Sequence, residues 1–151
     1  MGFIPKGARW YLADLVLEHT IEGQSPNVVH INTHLIGASS PDMAYRKARR
    51  LGKTAELTYE NTDGKPVHVK FRGLRELNVI HEELADGAEL SYIEEVGVPE
   101  KTLKEWITPK SELGVFAPIR RRQRPNYMPE SVMKMMEDRG FSREEVLRDD
   151  P

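Results

Sequence analysis

The stretch Trp10–Ile21, with the sequence WYLADLVLEHTI, decides the fold because its apolar residues recur at every second position. The fully apolar side of this stretch consists of Tyr11, Ala13, Leu15 and Leu17. Such spacing predicts a half-buried β-strand, since successive side chains of a strand point to opposite faces of a sheet. We expect the fully apolar side to face the core.

The following segment indicates that this strand turns back on itself. Residues 22–27 contain the Gly, Ser, Pro and Asn that are typical of a turn. Residues 28–36 are rich in Val, Ile and Thr, which favour strands. We therefore expect a second strand that pairs antiparallel with the first.

The sequence then changes to a helical period. Residues 39–42, SSPD, supply a serine N-cap, a proline for the first turn and an acidic residue beside it, which together predict the start of a helix. Ala44, Ala48 and Leu51 share one face of that helix, and we expect this face to pack on the sheet. Gly52 is the expected C-cap.

Further strands follow the helix. Residues 55–59 and 67–71 both alternate, and the Asp-Gly dipeptide between them predicts a hairpin. We expect residues 74–80 to form another strand or extended segment. Residues 88–96 are the expected last strand of the sheet.

The remainder of the chain has a different composition. Residues 99–106 predict a short helix that begins at a proline. Residues 118–129 are rich in Pro and Arg and predict a linker. Residues 130–139 predict a helix, and the capping box formed by Ser142 and Glu145 predicts a second, shorter one.

Together these elements predict an α+β fold: an antiparallel sheet in the order β-β-α-β-β-β with one flanking helix and a helical C-terminal extension. We divide the chain into a sheet domain (1–97), a strap with a short helix (98–117), and a Pro/Arg linker with a helical C-terminal arm (118–151). A single flanking helix covers one face of the sheet. The other face is polar, covered by the extension, or covered by a second subunit.

Several strand, turn and cap residues carry a resemblance to a known family. They are Trp10-Tyr11-x-Ala13-x-Leu15, Ala38-Ser39 before a helix that bears Ala44 and Ala48 and ends in Leu51-Gly52, Tyr59-x-Asn61-x-x-Gly64, Val67-x-Val69-x-Phe71, and Leu84-x-Asp86-Gly87-x-Glu89-Leu90. Over about residues 9–95 the chain resembles the bacterial domain-of-unknown-function family numbered 4288. That family has no assigned activity, so the resemblance implies a fold and no catalytic residue.

Composition narrows the function classes. The chain has 151 residues, 38% hydrophobic and 30% charged, with a net charge of −2 and no cysteine. Disulfides, thiolate zinc sites, iron–sulfur clusters and a cysteine nucleophile are thereby excluded. The N-terminus has no pattern of an export signal, and no apolar run reaches the ~20 residues of a membrane span. We expect a cytoplasmic protein with no membrane contact.

The sequence contains no motif that indicates a catalytic residue, a metal site or a cofactor. His30 and His34 lie in a predicted strand, which separates their Cα atoms by ~13 Å and argues against a shared metal ion. The tripeptide 52–54, GKT, resembles the end of a phosphate-binding loop, but it follows a helix and lacks the upstream glycine. An enzyme of unrecognised type remains an alternative, with a pocket that includes His30, His34 or His68.

The charges are segregated along the chain. Residues 76–100 contain eight acidic residues and no Lys or Arg, whereas the first helix and the linker are basic. These basic segments suggest a second function class, a nucleic-acid accessory protein. Its phosphate contacts would be Arg46, Arg49, Arg50, Arg120, Arg121, Arg122 and Arg124.

The C-terminal arm favours protein contacts. Its helices are too short to form a core alone, so they need a partner surface. That surface is the chain's own sheet, a second copy of the chain, or another protein. We expect a non-enzymatic protein-interaction module that self-associates through the sheet face and the arm. The expected contact residues on the arm are Met128, Val132, Met135 and Met136.

Overall fold

A computed structural model describes residues 3–22, 26–118 and 125–147 of the chain. Its strands are β1 (Trp10–Ile21), β2 (Val28–Gly37), β3 (Leu57–Glu60) and β4 (Pro66–Val79). Its helices are α1 (Pro41–Thr54), α2 (Glu100–Trp106), α3 (Glu130–Asp138) and α4 (Arg143–Leu147), with a 3-10 turn at Lys110–Glu112. The predicted α+β class is confirmed.

The strands form one antiparallel sheet in the order β2-β1-β4-β3. Both predicted hairpins are present, β1–β2 and β3–β4. The expected strand at residues 74–80 is the second half of the long strand β4, which continues past two register shifts against β1. Gly73 lies at this irregularity with a φ of +135°, a backbone conformation that glycine adopts without strain.

The core lies between α1 and one face of the sheet. Tyr11, Ala13, Leu15 and Leu17 are all buried, as their alternation predicts. They form one cluster with residues of β2, β4 and α1. The other buried members of this cluster are Ile36, Ala44, Ala48, Val69 and Phe71.

The N-terminus of α1 is capped as predicted, because the Ser40 side chain accepts a hydrogen bond from the backbone N–H of Met43 at 3.2 Å. Its C-terminus differs from the prediction. Gly52 is a buried residue inside the helix, and Ala55 is the C-cap. Leu51 is exposed rather than inside, because the buried stripe repeats every four residues and ends at Gly52.

The expected last strand at residues 88–96 is wrong. This segment has no regular secondary structure. Ala88, Leu90, Tyr92 and Val96 share one strand phase, which is why the sequence favours a strand, but no strand of the described chain pairs with this segment. Tyr92, Ile93 and Val96 are 71%, 89% and 89% exposed, which shows that nothing in the described chain buries them.

The chain forms two compact units. Among the described residues, the first unit comprises the sheet, α1 and the C-terminal arm from residue 125 to 147, and the second comprises residues 92–118. In the first unit, the arm begins near the β3–β4 turn, where Asn61 and Pro129 form an isolated β-bridge. The predicted capping box of α4 is present, since Ser142 and Glu145 exchange hydrogen bonds.

The second unit contains α2, which begins at Glu100 as predicted, and the 3-10 turn. The ammonium group of Lys110 lies 5.2 Å from the centre of the Phe116 ring. Across the described ranges of the chain, no helix has the length and apolar character needed to cross a membrane.

Candidate protein-interaction surface

The register of the strands assigns each residue to one of two faces of the sheet. Directly opposed residues of antiparallel strands point to the same side. Tyr11 is opposite Ile36, and Leu17 is opposite Phe71, so all four belong to the side that packs on α1. We call this side the helix face. The other side, which begins with Trp10, is the open face.

Apolar side chains follow β1 and β2 along the open face. Leu12 is opposite Leu35, and Val16 is opposite Ile31. On β2, Val29, Ile31 and Leu35 are 47%, 43% and 48% exposed, so α1 and the arm leave this side uncovered. We call the set the apolar strip. Its members are Trp10, Leu12, Val16, Val29, Ile31 and Leu35.

Ionic groups divide and border the apolar strip. The Asp14 carboxylate accepts a hydrogen bond from the Thr33 hydroxyl at 2.6 Å and pairs with Arg75 at 2.9 Å. The Thr33 hydrogen bond, followed by the Arg75 guanidinium, lowers the pKa of Asp14. Glu18 pairs with Arg72 at 3.6 Å nearer the end of β1. These carboxylates join neighbouring strands across the open face.

The helix face ends in a cluster of three aromatic rings. The ring centres of His19 and His30 are 4.6 Å apart, and that of Tyr127, from the arm, lies 5.6 Å from His19 and 5.9 Å from His30. The Nδ1 atom of His19 is buried and makes no hydrogen bond in the described structure. Burial lowers the pKa of His19, and the adjacent His30 imidazole lowers it further.

This cluster does not match the metal site considered from the sequence. His30 and His34 are on the helix face, whereas His68 belongs to the open face and bonds to Thr58 at 3.1 Å. Within residues 3–22, 26–118 and 125–147, no group of three or more His, Asp or Glu side chains is placed to hold a metal ion. The three histidines considered for a pocket therefore lie on two sides of the sheet.

His19 is the member of this cluster that no sequence motif indicates. It follows Leu15 and Leu17 at the same two-residue spacing, so the alternation of β1 places its imidazole on the buried face. A polar residue at a core-facing position is the signal that would have identified it.

The arm is attached to the β3–β4 turn by polar contacts that no local pattern predicts. Asn61 is 3% exposed, and its Nδ2 donates to the backbone carbonyl of Asn126 at 2.6 Å. The Asn126 side chain donates in return to Thr62 Oγ1 at 2.8 Å. The Tyr59 hydroxyl donates to the backbone carbonyl of Tyr127, and burial raises the pKa of Tyr59.

The four expected contact residues of the arm are in different environments. Met128, Val132 and Met136 are half-buried within the first compact unit, and Met135 is 45% exposed. Met133, which the sequence did not single out, is fully buried. Part of the apolar surface of the arm is therefore already used within the same chain.

The expected phosphate contacts divide into two groups. Arg46, Arg49 and Arg50 are exposed on α1, and the Arg49 guanidinium lies 5.8 Å from the centre of the Tyr45 ring. None of these three arginines forms an ion pair within the part of the chain that the structure describes. The other four, Arg120, Arg121, Arg122 and Arg124, lie outside the described residues.

Fold and surface together define a small α+β protein whose sheet has one face packed on a helix and an opposite face that carries the partly exposed apolar strip. Residues 10–92 match the family described as a domain of unknown function, DUF4288, and the chain belongs to this family. The family resemblance of the sequence is thereby confirmed. No curated protein and no solved structure matches the chain.

Proposed function

We propose that the protein is a non-enzymatic protein-interaction module that self-associates, and that its contact surface is the apolar strip. The observation that carries the proposal is the exposure of Val29, Ile31 and Leu35 on one side of one strand. Single exposed apolar residues are ordinary on protein surfaces. A contiguous set bordered by ionic groups is typical of a contact site.

The energetic gain of covering this strip is sufficient for association. Complete burial of a Val, Leu or Ile side chain contributes about 1.5–3 kcal/mol, and about half of the β2 side of the strip remains to be buried. Each such side chain therefore contributes on the order of 1 kcal/mol when a partner covers it. Asp14 and Glu18 already pair with Arg75 and Arg72, so a partner leaves neither carboxylate without a counter-charge.

The strip is a better candidate for the contact surface than the arm. Three of the four expected arm residues are half-buried in their own chain, and the polar contacts of Asn61 and Asn126 hold the arm at the β3–β4 turn. The exposed apolar side chains left on the arm include Met135 and Phe141. They contribute less apolar surface than the strip.

The experiment is light scattering after size exclusion on the full chain and on two matched variants. Ile31→Lys places a charge in the middle of the strip, and Met135→Lys places the same charge on the arm. We expect the wild type to be a dimer. The Ile31→Lys dimer should dissociate at a protein concentration roughly tenfold higher than the wild type, and the Met135→Lys dimer should be as stable as the wild type.

Two results would overturn the proposal. One is a wild-type chain that stays monomeric at millimolar concentration. The other is a dimer that Met135→Lys dissociates and Ile31→Lys leaves intact, which would assign the contact to the arm. Circular dichroism of each variant establishes that it is folded before its mass is compared.

A nucleic-acid accessory protein is the second candidate, supported by Arg46, Arg49 and Arg50 on the exposed side of α1. Their guanidinium groups form no ion pair among the described residues. Three such contacts to phosphate produce weak binding that falls steeply with salt. The triple change of these arginines to Glu is expected to abolish retention on nucleic acid at low salt. The charge-matched control replaces the exposed residues Lys6, Lys65 and Lys70, and equal loss in both chains would refute a specific role for α1.

A further inference from the structure

The strand β2 is one edge of the sheet. It pairs with β1 on one side and with no strand of the described chain on the other. An edge strand presents a row of backbone N–H and C=O groups that are available to another strand. β2 is ten residues long, so this row is longer than that of an average edge.

The two edges of the sheet differ in how they are protected. β3, the other edge, has four residues, ends at Glu60, and is followed directly by the bridge between Asn61 and Pro129 of the arm. β2 contains no Lys, Arg, Asp, Glu or Pro, which are the residues that normally prevent an edge from pairing. An edge without these features is suited to pairing with another strand.

The sequence of β2 is close to a palindrome of residue types. Outward from Asn32, it has the β-branched residues Ile31 and Thr33, then His30 and His34, then two apolar residues on each side. Read from either end, the segment VVHINTHLI therefore presents the same order of residue classes. Such a strand is complementary to an antiparallel copy of itself.

We propose that a second copy of this chain binds to β2 by antiparallel edge pairing about a two-fold axis that passes beside Asn32. This inference rests on the proposed self-association and gives it a geometry in which the contact is the β2 edge. Of the apolar strip, only Val29, Ile31 and Leu35 lie on β2 and contact the partner strand. Val29 is then opposite the partner's Leu35, His30 is opposite the partner's His34, and Ile31 is opposite the partner's Thr33. The dimer has a continuous eight-stranded sheet.

Pairing in this register extends the apolar strip instead of interrupting it. A two-fold axis perpendicular to the sheet keeps both open faces on the same side, so the strips of both copies become neighbours. Every apolar residue at positions 28, 29, 35 and 36 is opposite an apolar residue. Moving the axis to Ile31 places Val29 opposite the partner's Thr33 and shortens the paired segment from nine residues to seven. Moving it to Thr33 keeps nine paired residues but places Val29 opposite the partner's Gly37.

Charge explains why a second copy, rather than an unrelated strand, is the fitting partner. β2 carries no Lys, Arg, Asp or Glu, so two copies approach each other without like-charge repulsion at the paired residues. A C2 contact also requires a self-complementary surface, and the palindromic order of residue classes supplies it.

Paired charge substitutions test the register on the full chain. Val29→Lys/Leu35→Glu introduces opposite charges that face each other across the proposed axis, whereas Val29→Lys/Leu35→Lys introduces like charges at the same two sites. Both variants lose the same two apolar side chains. We expect the first to remain a dimer by light scattering and the second to dissociate at least tenfold more readily.

Cross-linking provides a second readout, since the natural chain has no cysteine. We expect a short bis-maleimide to link V29C chains to L35C chains in a mixture, because these positions lie about 5 Å apart across the pair. V29C alone is expected to give no dimer, because the two equivalent positions are ~20 Å apart along the strands.

The outcomes separate this inference from the proposed function. A wild-type monomer overturns both. A dimer in which the opposite-charge and like-charge variants dissociate equally, or in which V29C links to itself as readily as to L35C, overturns edge pairing in this register and leaves self-association standing.

Discussion

Gly52 in the last turn of α1 lies directly against the aromatic ring of Phe71 on β4. A Cβ atom added at Gly52 would be 2.5 Å from Cδ2 and 2.6 Å from Cζ of that ring, which is closer than side chains approach each other. Because Phe71 is buried, its ring has little space into which to move. The absence of a side chain at position 52 therefore sets how closely the helix packs on the sheet.

Gly52→Ala is accordingly expected to destabilise the protein. Overpacking costs about 1–3 kcal/mol. The better helix propensity of alanine offsets about 1 kcal/mol of this cost, which leaves a net loss of up to about 2 kcal/mol. Urea unfolding of the two chains measures it. Phe71→Leu is the partner variant, and in its background the cost of Gly52→Ala is expected to fall by at least ~0.5 kcal/mol. Equal or greater stability of Gly52→Ala in the wild-type background would contradict this packing.

The attachment of the arm depends on one buried amide. Asn61 Oδ1 accepts hydrogen bonds from the backbone N–H groups of Asp63 and Lys65, both at 2.9 Å, while its Nδ2 donates to the carbonyl of Asn126. Asn61→Asp keeps the acceptor for the turn and replaces the donor for the arm with an oxygen that faces a carbonyl. We expect faster amide hydrogen exchange in residues 125–147 and an unfolding free energy lower by about 1–3 kcal/mol.

Asn78→Asp makes the same chemical change at an exposed position on β4 and serves as the control for Asn61→Asp. It is expected to leave exchange in the arm unchanged. If Asn61→Asp also leaves the arm protected, the Asn61–Asn126 contact does not hold the arm in place.

The local elements of this fold could be predicted because they depend on short-range patterns. The alternation in β1 specifies both its bounds and its buried face, and Ser40 and Pro41 specify the start of α1. The segment at residues 88–96 shows the limit of such patterns. Its alternating apolar residues favour a strand, but a strand also needs a neighbour to pair with, and among the described residues this segment has none.

The candidate surface was only partly predictable. An uncovered sheet face follows from the presence of one helix, but the residues of β2 on that face depend on the register between β1 and β2. The attachment of the arm depends on Asn61 and Asn126, which are 65 residues apart in the chain. No periodicity or spacing in the sequence connects them.

Asp14 provides a test of the ionic contacts on the open face. Its folded-state pKa is lowered by the Thr33 hydrogen bond and by Arg75, so the ionised carboxylate stabilises the fold above its ordinary pKa of 3.8. This contribution is lost as the pH falls through the lowered value. Asp14→Asn is expected to cost about 1 kcal/mol at pH 7, because the Arg75 partner is largely exposed.

Asp14→Asn is also expected to lose less stability than the wild type when the pH is lowered. Urea unfolding of both chains at pH 7 and pH 3 measures this difference. Glu76→Gln, opposite Asp14 on β4, removes a carboxylate from the same face and is the matched control. Identical pH profiles for the wild type and Asp14→Asn would show that the carboxylate has the same environment in the folded and unfolded chains.

His19 links the stability of the protein to pH near neutrality. Burial and the neighbouring His30 imidazole lower its folded-state pKa below the ordinary 6.5, so the unfolded chain binds more protons in the interval between the two values. The contribution of neutral His19 to the free energy of unfolding is therefore fully present above pH 6.5, and it decreases as the pH falls toward the lowered pKa. His19→Gln, which stays neutral, is expected to flatten this part of the profile.

Thermal melts at pH 7.5, 6.5 and 5.5 measure the effect, with His81→Gln as the control because His81 is exposed. Hydrogen exchange at the same pH values locates it. If protonation of His19 acts where Tyr127 contacts the two imidazoles, acidification should increase exchange around Tyr127 before it affects the strands under α1. A wild-type profile that is flat between pH 7.5 and 5.5 would show that the imidazole is not buried in solution, because a buried neutral histidine must lose stability as it gains a proton.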